Sequence, residues 1–189
     1  MIHEFKEIIN QAIINQQKGL KNVLASVVHL EGSSYRKPGV RMLISENFNA
    51  VGAVSGGCVE KDIILRSKSV FKDSKPKVIT YDGRYRLGCE GILYILIEPF
   101  FISDEFLNEF IEANAKRTAL KIESTFLQKD EVFGNFGTSI TFENQNQFTF
   151  SETFKINSKE DLDFDTFTQI LQPAFRFIII GGEHDAVVV

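Results

Sequence analysis

With 189 residues, 43% of them hydrophobic and 24% charged, the chain has the composition of a folded globular protein and is long enough to enclose a core, which sets aside a disordered tether. A formal net charge of -4 disfavours a general nucleic-acid binder held by phosphate contacts. No apolar run approaches the roughly 20 residues that span a bilayer, and Met1 to Glu7 lacks the basic start and apolar stretch of a secretory signal. The expectation is a cytoplasmic protein, with no membrane partner, whose two cysteines are thiols rather than a bridge.

Phe5, Ile8, Ile9, Ala12 and Ile13 recur at helical spacing and predict an amphipathic helix from Glu4 to about Lys18, stopped by Gly19. Asn22 to Leu30, rich in Val and Leu, reads as a buried strand. The next stretch, Gly32-Ser33-Ser34-Tyr35-Arg36-Lys37-Pro38-Gly39, is dense in turn formers, hydroxyls and basic groups, and Val40 to Ser45 resumes a strand carrying Arg41. Val51 to Glu60 reads as a short apolar strand, a small-residue turn and the first turn of a helix that runs to about Phe71. Such a turn presents free backbone N–H groups at the positive end of a helix, where anions are held and a thiolate is favoured. Ser55, Gly56, Gly57 and Cys58 are therefore candidate binding residues. Whether the basic loop lies beside this turn depends on strand pairing that the pattern alone does not give.

Lys77 to Tyr81 predicts a strand, Asp82 to Gly91 a second glycine-bounded loop holding Cys89, and Ile92 to Glu98 a strand stopped by Pro99. Ser103 caps a helix with Asp104 and Glu105 in its first turn, ending near Arg117. From Ala119 to about Ile156 the apolar period becomes two, through Leu120, Ile122, Phe136 to Phe142 and Phe148 to Phe154, as in a small meander. Ser158 to Leu171 fits either a short capped helix or a loop and strand. Phe175 to Val189 reads as a buried strand, a glycine turn and the start of a helix. The fold class is α/β, a mixed β-sheet flanked by helices and followed by this truncated opening. His3, His29 and His184 have no partners at metal-ligand spacing, so no metal site is expected.

Three stretches together resemble the XdhC/CoxI family of xanthine dehydrogenase accessory proteins: Gly32-Ser33-Ser34 with Arg36, Gly39, Arg41 and Met42; Ser55-Gly56-Gly57-Cys58-Val59-Glu60; and Leu87-Gly88-Cys89-Glu90-Gly91 before a strand ending Glu98-Pro99. Ile179 to Ala186 resembles the opening of that family's second, Rossmann-like domain. The resemblance divides the chain into an XdhC/CoxI-like N-terminal domain over 1–172 and an incomplete Rossmann-like start over 173–189. It implies a binding and delivery protein, not itself an enzyme, that holds the molybdenum cofactor (molybdopterin), protects it during maturation and passes it to an apo-enzyme of the xanthine dehydrogenase or carbon monoxide dehydrogenase class. A cysteine desulfurase is an implied second partner, and the apolar tail suggests a homo-oligomer.

On that resemblance the cofactor-binding residues are Ser33, Ser34, Arg36, Arg41, Ser55, Gly56, Gly57, Cys58 and Cys89, with guanidinium groups on the phosphate and thiolates facing molybdenum or a transferable sulfur. Two positions depart from the family pattern. Glu90, in place of a glycine, puts a carboxylate beside Cys89 and raises its thiol pKa, and Glu183 opposes a pyrophosphate at the tail turn. The alternatives are a fragment of an NAD(P)-dependent oxidoreductase beginning at Ile178 and a sulfurtransferase carrying a persulfide on Cys58.

Overall fold

The computed structural model describes residues 2–55, 57–85, 91–156, 164–176 and 178, with the side chains of Cys58 and Tyr85 excepted. In chain order the elements are α1 (Ile2–Gln17), β1 (Asn22–Glu31), β2 (Arg41–Ser45), β3 (Ala50–Gly52), α2 (Cys58–Asp73), β4 (Lys77–Asp82), a 3-10 turn (Gly83–Tyr85), β5 (Ile92–Pro99), α3 (Asp104–Lys116), β6 (Leu120–Phe126), β7 (Val132–Phe133), β8 (Gly137–Thr141), β9 (Gln147–Thr149) and β10 (Asp165–Leu171).

Helices and strands combine as the sequence suggests, but the strands divide between two sheets. Six strands pair in the order β3-β2-β1-β5-β4-β7 and four in the order β10-β6-β8-β9. Every pairing among them is antiparallel, so the expected mixed sheet resolves into two sheets of one kind. The physical reason is connection length: β1 to β2, β2 to β3 and β4 to β5 are joined by loops that reverse the chain, and only a long crossover returns a strand in parallel.

Alternation along β1 sends successive side chains to opposite faces of the larger sheet. Val23, Ala25 and Val27 meet Val59, Ile63, Val70 and Phe71 of α2, with Met42, Ile44, Ile79 and Ile95 beside them. On the other face Leu24 and Leu43 join Phe5, Ile8, Ile9 and Ala12 of α1, Phe106 and Phe110 of α3, and Leu120, Ile122 and Ile140 of the smaller sheet. A third cluster, Val28, Val78 and Leu96 against Phe126 and Phe136, holds the two sheets together. Ser103 accepts a hydrogen bond from Phe106 N at 3.1 Å and so starts α3 as its sequence suggests.

Where Ser158 to Leu171 left two possibilities, the strand wins: β10 pairs with β6 along its whole length, Asp165 opposite Phe126 and Leu171 opposite Leu120. Residues 157–163 lie outside the described residues. The meander is shorter than its apolar pattern, because 151–156 turn away after β9 and Val132–Phe133 leave it to extend the larger sheet at β4. The buried strand expected from Phe175 is not formed over 172–176. Phe175 is 95% exposed and Ile178 74%, and no described strand pairs with them. Residues 179–189, including the glycine turn with Glu183, lie outside the described residues.

Candidate functional site

Antiparallel order decides where the candidate loops meet. β1 and β4 end, β2 and β5 begin, and β3 ends at the same edge of the larger sheet, so the 32–40 loop, the 53–57 turn and the 83–91 loop all emerge there. Contacts join them. Gly83 N donates to Gly91 O at 2.9 Å and closes the 83–91 loop at its base. Gly91 packs so closely on the first loop that a Cβ there would lie 2.7 Å from Ser33 O and 2.8 Å from Glu31 O. A small cleft of about 40 Å³ between the three loops is lined by Ser34, Arg36, Ser55, Val59, Tyr81 and Gly83, among others.

The turn before α2 is organised by a side chain of the helix itself. Gly57 takes φ 118° as the N-cap, and Glu60, three residues on, folds back over it. Its carboxylate accepts from Ser55 N at 2.6 Å, Ser55 Oγ at 2.8 Å and Gly57 N at 2.7 Å. Partial burial alone would raise the Glu60 pKa, but these donors from Ser55 and Gly57 hold it below the ordinary carboxylate value. Two of the amides expected to meet an external anion thus already hold an internal one. The spacing Gly57-x-x-Glu60 is the signal for this, since a Glu at the third helical position reaches back to the cap. Cys58 is the first residue of α2, where the helix dipole is most positive. Gly56 and Cys89 lie outside the described residues.

Arg36 borders the cleft on the α2 side and also a second cavity on the α1 side of the same sheet edge. Arg41 lines only the latter, at the start of β2. It is 7% exposed, and its Nη1 donates to Gly39 O at 2.8 Å and to Gln169 Oε1 at 2.6 Å. Burial lowers its pKa to about 10, opposed by the field of Glu98, so it remains a cation at neutral pH.

Glu98, wholly buried on β5 between the sheets, accepts from Thr138 N at 2.9 Å and Thr138 Oγ1 at 2.5 Å. Thr138 Oγ1 in turn lies 2.8 Å from Ser124 Oγ. Burial pushes Glu98 up to about 7 despite these donors and Arg41. A carboxylate placed directly between the apolar run Ile92 to Ile97 and Pro99-Phe100 was the available sign of this buried acid, since such a residue is buried by its neighbours. His29 packs against the Tyr94 ring, 5.5 Å between centroids. Among the described residues no group of His, Cys, Asp and Glu could hold a metal, and no helix is long and apolar enough to cross a membrane.

Residues 16–82, from the end of α1 to the end of β4, match the XdhC and CoxI family. Over that segment the chain is similar to the family. The XdhC/CoxI segment contains the basic loop and the Gly57 turn, and it stops where the 83–91 loop begins. A curated relative from Bacillus subtilis (strain 168), described as a probable xanthine dehydrogenase subunit, is 28% identical over 183 aligned residues, 87% of this chain and 54% of that protein. A crystal structure described as a xanthine dehydrogenase from Bacillus halodurans shares the fold, with a TM-score of 0.61 at 23% identity over 88% of this chain and 53% of that one. The chain spans about half the length of these relatives.

Proposed function

We propose that this chain is the cofactor-handling part of an accessory protein for a molybdenum hydroxylase of the xanthine dehydrogenase or carbon monoxide dehydrogenase type. The observation that carries the reading is the convergence of three loops at one sheet edge, with Ser34, Arg36 and Ser55 around a common cleft. The family match and the xanthine dehydrogenase names of the relatives support the setting.

The described residues suit a guest of this chemistry. Arg36 and Arg41 hold buried N–H groups without partners. The molybdenum cofactor, when bound, supplies a phosphate, a polar pterin and a sulfur-ligated metal centre. Around it, Ser34 and Ser55 offer hydroxyls, Arg36 a charged donor, and Glu60 keeps the Ser55–Gly57 turn in one shape. Cys58, at the positive end of α2, is the residue we assign to the soft end of the guest, with Cys89 as a second thiol from the neighbouring loop. The apo-enzyme is the receiving partner. A cysteine desulfurase and self-association through the exposed tail belong to the same reading, as does a Rossmann-like continuation from residue 173.

Purified protein mixed with molybdopterin cofactor is expected to retain it through gel filtration, and Cys58→Ala or Arg36→Ala to reduce the retained amount. Equal retention by all three proteins would remove the site assignment, and no retention by any would remove the function.

A further inference from the structure

The cavity on the α1 side has about 270 Å³ of space and lies between the first two turns of α1 and the ends of β2 and β3. Its wall carries Arg36 and Arg41, with Glu4 and Glu7 at the rim, and the arginines keep open donors. Arg41 Nε and Nη2 and Arg36 Nε are buried and have no hydrogen-bond partner. The Arg41 guanidinium carbon lies 5.7 Å from the centroid of the Phe5 ring, a contact that attracts the cation without satisfying its N–H groups. Among the described residues Arg41 forms no ion pair, and Glu98, the acid whose field reaches it, is close to half neutral at pH 7. A buried cation with open donors is costly unless an anion completes it.

We propose that this cavity is the seat of a phosphate-sized oxyanion, held by Arg41 and Arg36, and that its ligand class is a phosphate monoester. Three open donor nitrogens on two guanidinium planes suit a tetrahedral anion with several acceptor oxygens better than a carboxylate with two. The space exceeds one phosphate and admits the first atoms of an ester. Glu4 and Glu7, exposed at the rim, oppose the extra charge of a diphosphate. The half-buried Arg36 turns to admit the ligand, and it links this seat to the three-loop cleft because it lines both. The inference deepens the delivery reading, on which it rests for the identity of the guest: it places the phosphate under α1, away from the α2 amides of Ser55 and Gly57 that Glu60 occupies.

Titration of the isotopically labelled chain with inorganic phosphate, followed by NMR, tests it. Saturable shifts are expected to be largest at the Gly39, Val51 and Gly52 amides and at the Arg36 and Arg41 Nε–H signals, with smaller changes at Ser55 and Gly57 as Arg36 turns. Arg36→Gln is expected to weaken phosphate binding about tenfold or more, as for loss of a charged hydrogen bond, and pyrophosphate to bind more weakly than phosphate. Shifts centred on Ser55 and Gly57, no saturable response, or tighter binding of pyrophosphate would each overturn the proposal. Because Arg41→Gln removes a buried group and risks the fold, the mapping is done on the unsubstituted chain. Phosphate binding without retention of molybdopterin would leave the seat standing and remove the delivery function. Retention without a phosphate response would do the reverse.

Discussion

Replacing Glu98 by Gln separates the charge of this buried group from its shape. The carboxyl is ordinarily half ionised at 4.5, and burial pushes it up to about 7 in the folded chain. Between those values the folded state holds a proton that the unfolded state has released, so stability falls as pH rises through the window and levels off above it. A displacement of this size corresponds to about 3 kcal/mol. Gln mimics the neutral acid: its carbonyl oxygen can accept from Thr138 N, and its amide can donate to Thr138 Oγ1, which then donates to Ser124 Oγ. At acid pH the two proteins should therefore be of similar stability.

Urea unfolding of both proteins across pH 5 to 8 provides the measurement. Surface groups common to the two cancel in the difference, which should move in favour of Glu98→Gln by roughly 2 to 3 kcal/mol as pH rises. Loss of the negative field at Arg41 offsets part of the gain without changing its direction. A difference that stays constant over the range would refute the account of Glu98 as a buried, titrating acid.

Glu60→Ala removes the acceptor for Ser55 N, Ser55 Oγ and Gly57 N, and should cost about 1 to 3 kcal/mol in urea unfolding at pH 7. Because the Glu60 pKa is depressed, its contribution is present above the ordinary carboxylate range and fades as pH falls through the folded value, so the gap to the parent should close in acid. Gly91→Ala drives a methyl against the Ser33 and Glu31 carbonyls, at 2.7 and 2.8 Å, and should lower stability by about 1 to 3 kcal/mol while speeding amide exchange in residues 33–35. Asn22→Ala leaves buried Asn15 Nδ2 without its 2.7 Å acceptor and Ala12 O without its 3.0 Å donor, and calorimetry should show a loss of about 1 to 3 kcal/mol.

The elements with long, strong periodicity were readable from the chain alone: α1 from Phe5, Ile8, Ile9 and Ala12, α3 from Ser103 and the phenylalanines behind it, and β1 and β5 from their Val, Ile and Leu runs. Partition of the strands into two sheets was not, because an apolar alternation names the buried face of a strand and says nothing of its neighbour. For the same reason the meeting of the 32–40, 53–57 and 83–91 loops had to await the pairing of β1 with β5, which sets the whole edge in register. Ser34, Arg36 and Ser55 were identifiable as chemistry, but the cleft they share is a product of topology. Gln169 had no visible role, since its partner Arg41 lies 128 residues earlier. Of the strand expected in the tail only Phe175, Arg176 and Ile178 are described, and Phe175 and Ile178 are exposed there.

The bond from Arg41 to Gln169 also bears on biosynthesis. A nascent chain could close the β1–β2 hairpin early, but the guanidinium of Arg41 would wait for β10, 128 residues further on, before Gln169 could fix its orientation. The aim of Arg41 would therefore be set only after both sheets have docked, and a fragment released before β10 could resemble the folded chain in spectroscopic helix content while lacking a correctly oriented Arg41.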